Sequence, residues 1–215
     1  MIIATDFDGT LTTGEMGRAI GAYMKSHGQG AAYQRFFLEQ LPRYIAAKTG
    51  LLDMRTFKKG WATKMPRLFN HMPRAALNAM FESVVEAELW KQRRQDVISE
   101  LVRLREQDHR IIIVSGGYHP LLEAFARRIN AEAVGTALAF NGDECLGKIA
   151  EPLNVGDYKV ERLQALLSGQ PLDRAYGDSM DDLPMLEMSK NPVAVYPDAK
   201  LRQVAEQRGW RIIQN

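Results

Sequence analysis

Ile111-Ile112-Ile113-Val114-Ser115-Gly116-Gly117-Tyr118-His119-Pro120 is the stretch whose reading decides the fold. Four consecutive β-branched residues are stiff at χ1 and suit a pleated strand. No polar residue alternates among them, so this strand is buried on both faces, as strands of parallel sheets are. Gly116-Gly117 punctuates the run, and Pro120 fits the first turn of a helix expected through about residue 128. On the N-terminal side, Val97, Ile98, Leu101, Val102 and Leu104 recur at helical spacing and predict an amphipathic helix over roughly 91–107. Further back, residues 2–5 form a short apolar run ended by an Asp-Gly turn signal. On the C-terminal side, residues 137–149 read as a hairpin around Asn141-Gly142. Asp157 reads as the N-cap of a helix carrying Val160, Leu163, Leu166 and Leu167. Then follow a strand near 174–176, a helix near 181–188, a strand at 193–196, a helix from Asp198 and a last strand near 211–213. This alternation predicts an α/β chain with a Rossmann-like, three-layer core and a mainly parallel sheet.

Residues 14–88 have another character. They lack β-branched runs and read as helices, with Tyr23, Phe36, Phe37, Tyr44, Phe57, Trp61, Phe69, Met80 and Phe81 at intervals and Pro66 and Pro73 dividing the later part. Such a stripe is core material. We read 14–88 as a helical insertion after the first strand, which leaves 1–13 and 89–215 as one discontinuous core domain.

The whole chain fits this division. It has 215 residues, 46% apolar and 25% charged, enough for a sizeable core. Mean hydropathy is −0.28 and no apolar run approaches the ~20 residues of a membrane span. The N-terminus lacks a signal-peptide pattern. The single cysteine, Cys145, excludes a disulfide framework and a cysteine-based zinc site, so a reducing, cytoplasmic setting is expected. The net charge of +2 hides an asymmetry: residues 1–110 carry 17 Lys/Arg against 12 Asp/Glu, and residues 111–215 carry 11 against 14. Residues 18–74 are more extreme, with eleven bases and two acids, Glu39 and Asp53. That tract suits a solvated helix face or an anionic ligand. Zinc-finger spacing and an aromatic RNA-binding signature are both missing, so no nucleic-acid partner is expected.

In open parallel sheets ligands bind beyond the carboxyl ends of the strands. After the first strand come Asp6, Asp8, Gly9 and Thr10; after 111–114 come Ser115, Gly116 and Gly117; after 174–176 come Gly177, Asp178, Ser179, Asp181 and Asp182; Lys159 lies near a helix start. A cluster of acids repels itself unless a cation neutralises it, and hard carboxylate oxygens select Mg²⁺. Ser115 and the amides after it, leading into a helix, form an anion seat, and Lys159 balances charge on a phosphoryl group. Each part alone has a bland reading: Asp-rich turns cap helices, Ser-Gly-Gly makes tight turns, and single lysines are solvated. Their joint appearance at successive strand ends points instead to magnesium-dependent phosphoryl transfer through a carboxylate.

With those residues in place, the chain resembles the haloacid dehalogenase superfamily, in particular its subfamily IB, the phosphoserine-phosphatase-like branch. Asp6-Phe7-Asp8-Gly9-Thr10-Leu11-Thr12 resembles the first motif and Val114-Ser115-Gly116-Gly117-Tyr118 the second. Lys159 stands where the third motif has its lysine, and Gly177-Asp178-Ser179-Met180-Asp181-Asp182-Leu183-Pro184-Met185-Leu186 is similar to the fourth. Asn191-Pro192-Val193-Ala194-Val195-Tyr196-Pro197-Asp198, continuing to Gly209-Trp210, is also similar to this branch. The resemblance implies that Asp6 attacks phosphorus and becomes an aspartyl phosphate. It implies that Asp8 protonates the leaving oxygen, later activates water and lends its backbone carbonyl to Mg²⁺. Asp6 and Asp178 supply carboxylates to the metal; Thr10, Ser115, Gly116 and Lys159 bind phosphate; Asp182 orients Lys159 or a metal-bound water. Asp181 departs from the pattern, which has a neutral Asn there, and lies beside the substrate site. The insertion stands where such enzymes carry a helical cap, Glu15 where a Glu holds a substrate amino group, and Lys64 near where an Arg holds a carboxylate.

The expected function is therefore a Mg²⁺-dependent phosphomonoesterase for a small anionic phosphorylated metabolite, phosphoserine or another phosphorylated amine or alcohol, in a monomer or homodimer without membrane partners. A receiver-type signalling domain shares the strand-end Asp, the hydroxyl, the Lys and Mg²⁺, but has no use for Asp8 or a large cap. A dehalogenase has no need of the second Asp. A phosphatase of the same kind with a lipid, nucleotide or protein substrate is the remaining alternative.

Overall fold

The computed structural model describes residues 1–214. Eight strands are β1 (Ile2–Thr5), β2 (Arg110–Tyr118), β3 (Glu132–Thr136), β4 (Leu138–Asn141), β5 (Glu144–Ile149), β6 (Leu172–Gly177), β7 (Ser189–Val195) and β8 (Arg211–Ile213). Six of them form one sheet in the order β3-β2-β1-β6-β7-β8, with every neighbouring pair parallel. From β1 the sheet grows first through β2 and β3 on one side, then through β6, β7 and β8 on the other. The strand order therefore reverses at β1, which places the ligand crevice at the carboxyl ends of β1 and its two neighbours.

The unbroken β-branched run behaves as expected. Ile111 and Ile113 face a cluster with Ile3, Tyr176, Val193 and Val195, while Ile112 and Val114 face the opposite one with Ala4, Ala175 and Ala194. The first face is covered by α5 (Gln95–Glu106) and α6 (His119–Ala126), the second by α7 (Asp157–Leu167), α8 (Leu183–Glu187) and α9 (Ala199–Arg208).

Between β1 and β2 run α1 (Met16–Ser26), α2 (Gly30–Lys48), α3 (Met54–Lys64) and α4 (Arg74–Val84), followed by a π-helical turn at Val85–Leu89. Phe36, Phe69, Phe81, Met65 and Met80 from this stretch are buried in the same cluster as Phe7, Tyr118 and Phe125, so most of its stripe is core; Phe37, expected there too, is exposed, and Tyr44 is only half-buried. The chain leaves and returns side by side: the Thr13 N–H donates to Gln92 O at 2.9 Å and the Thr12 hydroxyl to Leu89 O at 3.0 Å. The β4–β5 hairpin reaches toward the helices, where the Cys145 N–H donates to Met72 O and the His71 N–H to Cys145 O. No described helix is long and apolar enough to cross a membrane.

Five details differ from expectation. β3 was not anticipated: Glu132-Ala133-Val134-Gly135-Thr136 holds a glycine, which weakens a strand signal, yet a Cβ at Gly135 would stand 2.6 Å from Gly117 O, so close strand packing requires it. β7 begins at Ser189, because β6 already pairs with it there, Leu172 opposite Ser189, and Pro192 is tolerated because β8 joins only from Val193. The N-cap of α7 is Gly156, not Asp157, which is the first helical residue and complements the helix dipole there. The helix expected at 181–188 is a 3₁₀ turn, Met180–Asp182, followed by α8. Finally, α5 starts at Gln95 because residues 89–94 pair with 11–13.

Candidate active site

The loop after β1 is shaped by its apolar residues. Phe7 and Leu11 are wholly buried, so period-two alternation turns Asp6 and Asp8 away from the core. The Asp6 N–H donates to Tyr176 O at 2.9 Å, which locks its backbone to β6. Gly9 has φ +87°, and a Cβ there would lie 2.2 Å from Asp178 Oδ2. Only glycine permits both the backbone conformation and the approach of that carboxylate.

The loop after β6 supplies the opposing wall. Asp182 is almost fully buried; its Oδ2 accepts the N–H groups of Asp178 at 3.2 Å and Ser179 at 3.3 Å, while Oδ1 accepts Lys159 Nζ at 2.7 Å. Lys159, one turn into α7, also donates to Asp6 Oδ1 at 2.6 Å. One buried ammonium thus spans two carboxylates from different strand ends, with Asp178 beside them held by the Thr10 hydroxyl at 3.3 Å.

Three acids around one base leave an excess of negative charge, and titration reflects it. Asp6 is held well above the usual carboxylate range, chiefly by burial and then by Asp182, with Lys159 opposing. Asp178 is pushed up to about 7 by burial and Asp182. The Asp8 side chain keeps contact with solvent, but the protein packed around its carboxyl still pushes it up to about 6; Lys58 on α3 opposes that shift and Glu15 adds to it. Burial works against the charge of Lys159, but Asp182 and Asp6 outweigh it and raise its pKa.

Carboxylate oxygens of Asp6, Asp178 and Asp182 lie within 4.8 Å of one another. An all-oxygen, net-negative donor set of this kind fits a hard divalent cation such as Mg²⁺. Asp182, expected to orient Lys159, both bonds that lysine and belongs to the cluster. The Asp8 carboxylate is outside it, and its expected share in metal binding is a backbone carbonyl.

A stability prediction follows from these shifts. Asp6, Asp8 and Asp178 hold protons more tightly folded than unfolded, so between about pH 4 and pH 7 the folded chain binds more protons. Metal-free protein should lose stability as pH rises through that window, and added Mg²⁺ should raise Tm more at pH 7 than at pH 5. Thermal melts at the two pH values check this; a metal-induced rise that is equal at both would contradict it.

Ser115 is buried inside β2, where its pairing with β3 shifts, beside Gly116 and on the side of β1 away from β6. Asp181 points outward, where its carboxylate pairs with Arg55 of α3 at 3.3 Å; the acid that replaces the expected Asn thus meets a base of the insertion. Glu15, just before α1, is half exposed and pairs with Arg18 at 2.9 Å. Lys64 is not brought to the cluster; its ammonium lies 3.5 Å from Gln40 Oε1 within the insertion.

Sequence reasoning missed Arg94. Its Nε donates to Gly9 O at 2.7 Å, its N–H to Leu11 O at 2.8 Å, and its guanidinium stacks 3.8 Å over Tyr196. It braces the loop that carries Asp8 from 85 residues away, and no local signal marks it. Lys58 was likewise hidden among the basic residues of 18–74.

Known proteins share this fold. A Bordetella pertussis protein of unknown function aligns over 99% of this chain and 97% of its own, with TM-score 0.83 and 20% identity. A probable phosphoserine phosphatase from Vibrio cholerae aligns over 99% of this chain and 59% of its own, with TM-score 0.65 and 16% identity. At these identities the likeness is one of fold. Phosphoserine phosphatase SerB1 of Mycobacterium tuberculosis is 26% identical over 139 residues, 62% of this chain and 44% of that protein. The chain spans about half the length of the curated relatives it matches. The model of the haloacid dehalogenase-like hydrolases matches residues 3–187, more than half of the chain, and the strand-end acids and buried lysine lie inside that match: the chain belongs to that family.

Proposed function

We propose that the chain is a phosphomonoesterase acting on a small phosphorylated metabolite through an aspartyl phosphate on Asp6. The observation that carries this is Lys159, buried between Asp6 at 2.6 Å and Asp182 at 2.7 Å, with Asp178 alongside. In this reading a bound Mg²⁺ neutralises the acidic cluster and offsets charge on the phosphoryl group. Lys159 opposes the burial and acidic neighbours that favour protonated Asp6, aims its carboxyl, and pairs with a phosphate oxygen. The Ser115 hydroxyl and the Gly116 amide hold the remaining oxygens. Asp8, with a pKa near 6, carries a proton often enough near neutrality to give it to the leaving oxygen, and once ionised it takes one from the water that hydrolyses the acyl phosphate.

Residues 1–13 and 89–215 then form the catalytic core, and 14–88 a cap that selects substrate. Arg55 faces Asp181, and the charge of Lys58 acts on Asp8, so α3 brings cations to the mouth of the site. That favours a substrate with negative charge beyond its phosphate. Glu15 is close enough to act on Asp8 and open enough to meet a substrate amine, which makes a phosphorylated amino acid such as phosphoserine the first candidate.

A screen of phosphorylated metabolites with Mg²⁺, scored by kcat/KM, tests the reading. Turnover of at least one metabolite is expected; a chain that is phosphorylated but never releases phosphate would favour a receiver-type role. Glu15→Gln should lower kcat/KM for phosphoserine about tenfold or more, the worth of one charged hydrogen bond, while sparing an ester that lacks the amine. Equal losses on both would remove the amine from the assignment.

A further inference from the structure

Ser115 and Gly116 lie where β2 departs from regular pairing. Its ladder with β3 is in register at Val114 opposite Val134, shifts, and resumes at Tyr118 opposite Thr136. In a regular strand successive carbonyls point to alternate sides. Here two in a row are drawn toward β3. The Ser115 carbonyl accepts Asn154 Nδ2 at 3.1 Å, and the Gly116 carbonyl accepts the Thr136 hydroxyl at 2.9 Å. Asn154 and Thr136 are themselves linked, since the Asn154 N–H donates to Thr136 Oγ1 at 3.1 Å. Both side chains are wholly buried.

A trans peptide is planar, with C=O and N–H pointing in opposite directions. Pinning the Ser115 carbonyl toward β3 therefore turns the Gly116 N–H toward β1, where Asp6 stands. Pinning the Gly116 carbonyl does the same for the Gly117 N–H, which donates to Ser115 Oγ at 3.2 Å. A hydroxyl oxygen that accepts there keeps its own proton for an anion. The Gly116 N–H and the proton of the Ser115 hydroxyl are thus the two donors turned to the side of Asp6. Glycine is required at the pivot, because a Cβ on Gly116 would meet Val155 Cγ1 at 2.7 Å.

Asn154 shows the cost of this arrangement. Its Nδ2 bridges the carbonyls of Ser115 and Val134, at 3.1 and 2.8 Å, which fixes the orientation of the amide. Its Oδ1 is buried with no hydrogen-bond partner among the described residues, so the side chain is kept there despite an unsatisfied acceptor. We propose that Asn154 and Thr136 are positioning residues that aim the Gly116 amide and, through the Gly117 N–H, the Ser115 hydroxyl at the phosphate. This rests on the reading of Ser115 and Gly116 as the phosphate seat.

Thr136→Val is nearly isosteric and deletes only the hydroxyl, and Thr136→Ser restores it; Asn154→Leu removes the amide bridge at similar volume. Calorimetric titration with inorganic phosphate, in the presence of Mg²⁺, reads the seat directly. Kd should rise about tenfold or more for Thr136→Val and Asn154→Leu and return to within about twofold for Thr136→Ser. KM for an aryl phosphate should rise in parallel, and the pH profile set by Asp8 should not move. Wild-type Kd in a folded Thr136→Val protein would overturn the positioning role, as would a loss in Thr136→Ser as large as in Thr136→Val. Should Asn154→Leu fail to fold, the Thr136 pair decides alone. Wild-type protein that binds no phosphate would instead overturn the phosphatase reading itself, and this proposal with it.

Discussion

Asp6→Asn is expected to lower turnover of an aryl phosphate by about four orders of magnitude or more while leaving the chain folded. The size follows from chemistry: an amide oxygen cannot form the acyl phosphate, and losing a nucleophile removes the whole covalent route. The intact fold follows from electrostatics. Asp6 is a buried acid held above its ordinary pKa by its surroundings, so neutralising it relieves repulsion from Asp182 and Asp178 and frees Lys159 to serve Asp182 alone. Metal-free Asp6→Asn protein should melt at or above the wild-type temperature at pH 7. Turnover retained within tenfold, measured beside a circular dichroism melt, would exclude Asp6 as the nucleophile.

That outcome separates what the residue does from what it costs, and the same separation explains what could be read from sequence. Asp6, Asp8, Ser115 and Asp178 could be singled out because a parallel sheet presents its ligands at strand ends, and strand ends show in the chain as β-branched runs meeting Gly and Asp; Lys159 lies instead near the start of α7. The lysine and its two carboxylates are 153 and 23 residues apart in sequence, yet the strand order brings them together at the point where it reverses.

What stayed hidden depends on contacts with no local pattern. Arg94 braces Gly9 because the connections into and out of 14–88 run side by side, and one exposed-looking arginine does not announce that. Asn154 and Thr136 act through carbonyls, and β3 was masked by Gly135, whose missing side chain makes room for Gly117. Arg55 and Lys58 could not be told from other bases on helices until α3 was placed over the site. The excess of bases in 18–74 thus gains a meaning that composition alone could not supply: at least two of the eleven act on acids of the site.

Lys159→Met should damage stability and activity together, where Asp6→Asn damages activity alone. Its ammonium is buried between two carboxylates, and removing one partner of a buried ionic cluster costs about 3–5 kcal/mol because the remaining charges stay desolvated and unpaired. Asp6, already raised by burial and now without its cation, would answer by taking up a proton, so the variant should be closest to wild-type stability at low pH and fall away as pH rises toward 8. Activity should drop about a hundredfold or more even where the variant is folded, since a protonated Asp6 is a poor nucleophile and the phosphate loses a cation. The double variant Lys159→Met, Asp182→Asn distinguishes the two losses. Deleting the second buried acid should recover much of the stability at pH 7, because Asp6 then faces one carboxylate fewer, but it restores no positive charge and should recover little activity. Recovery of turnover together with Tm would mean that Lys159 serves only to hold the loops together, and would leave the phosphoryl group without the cation assigned to it here.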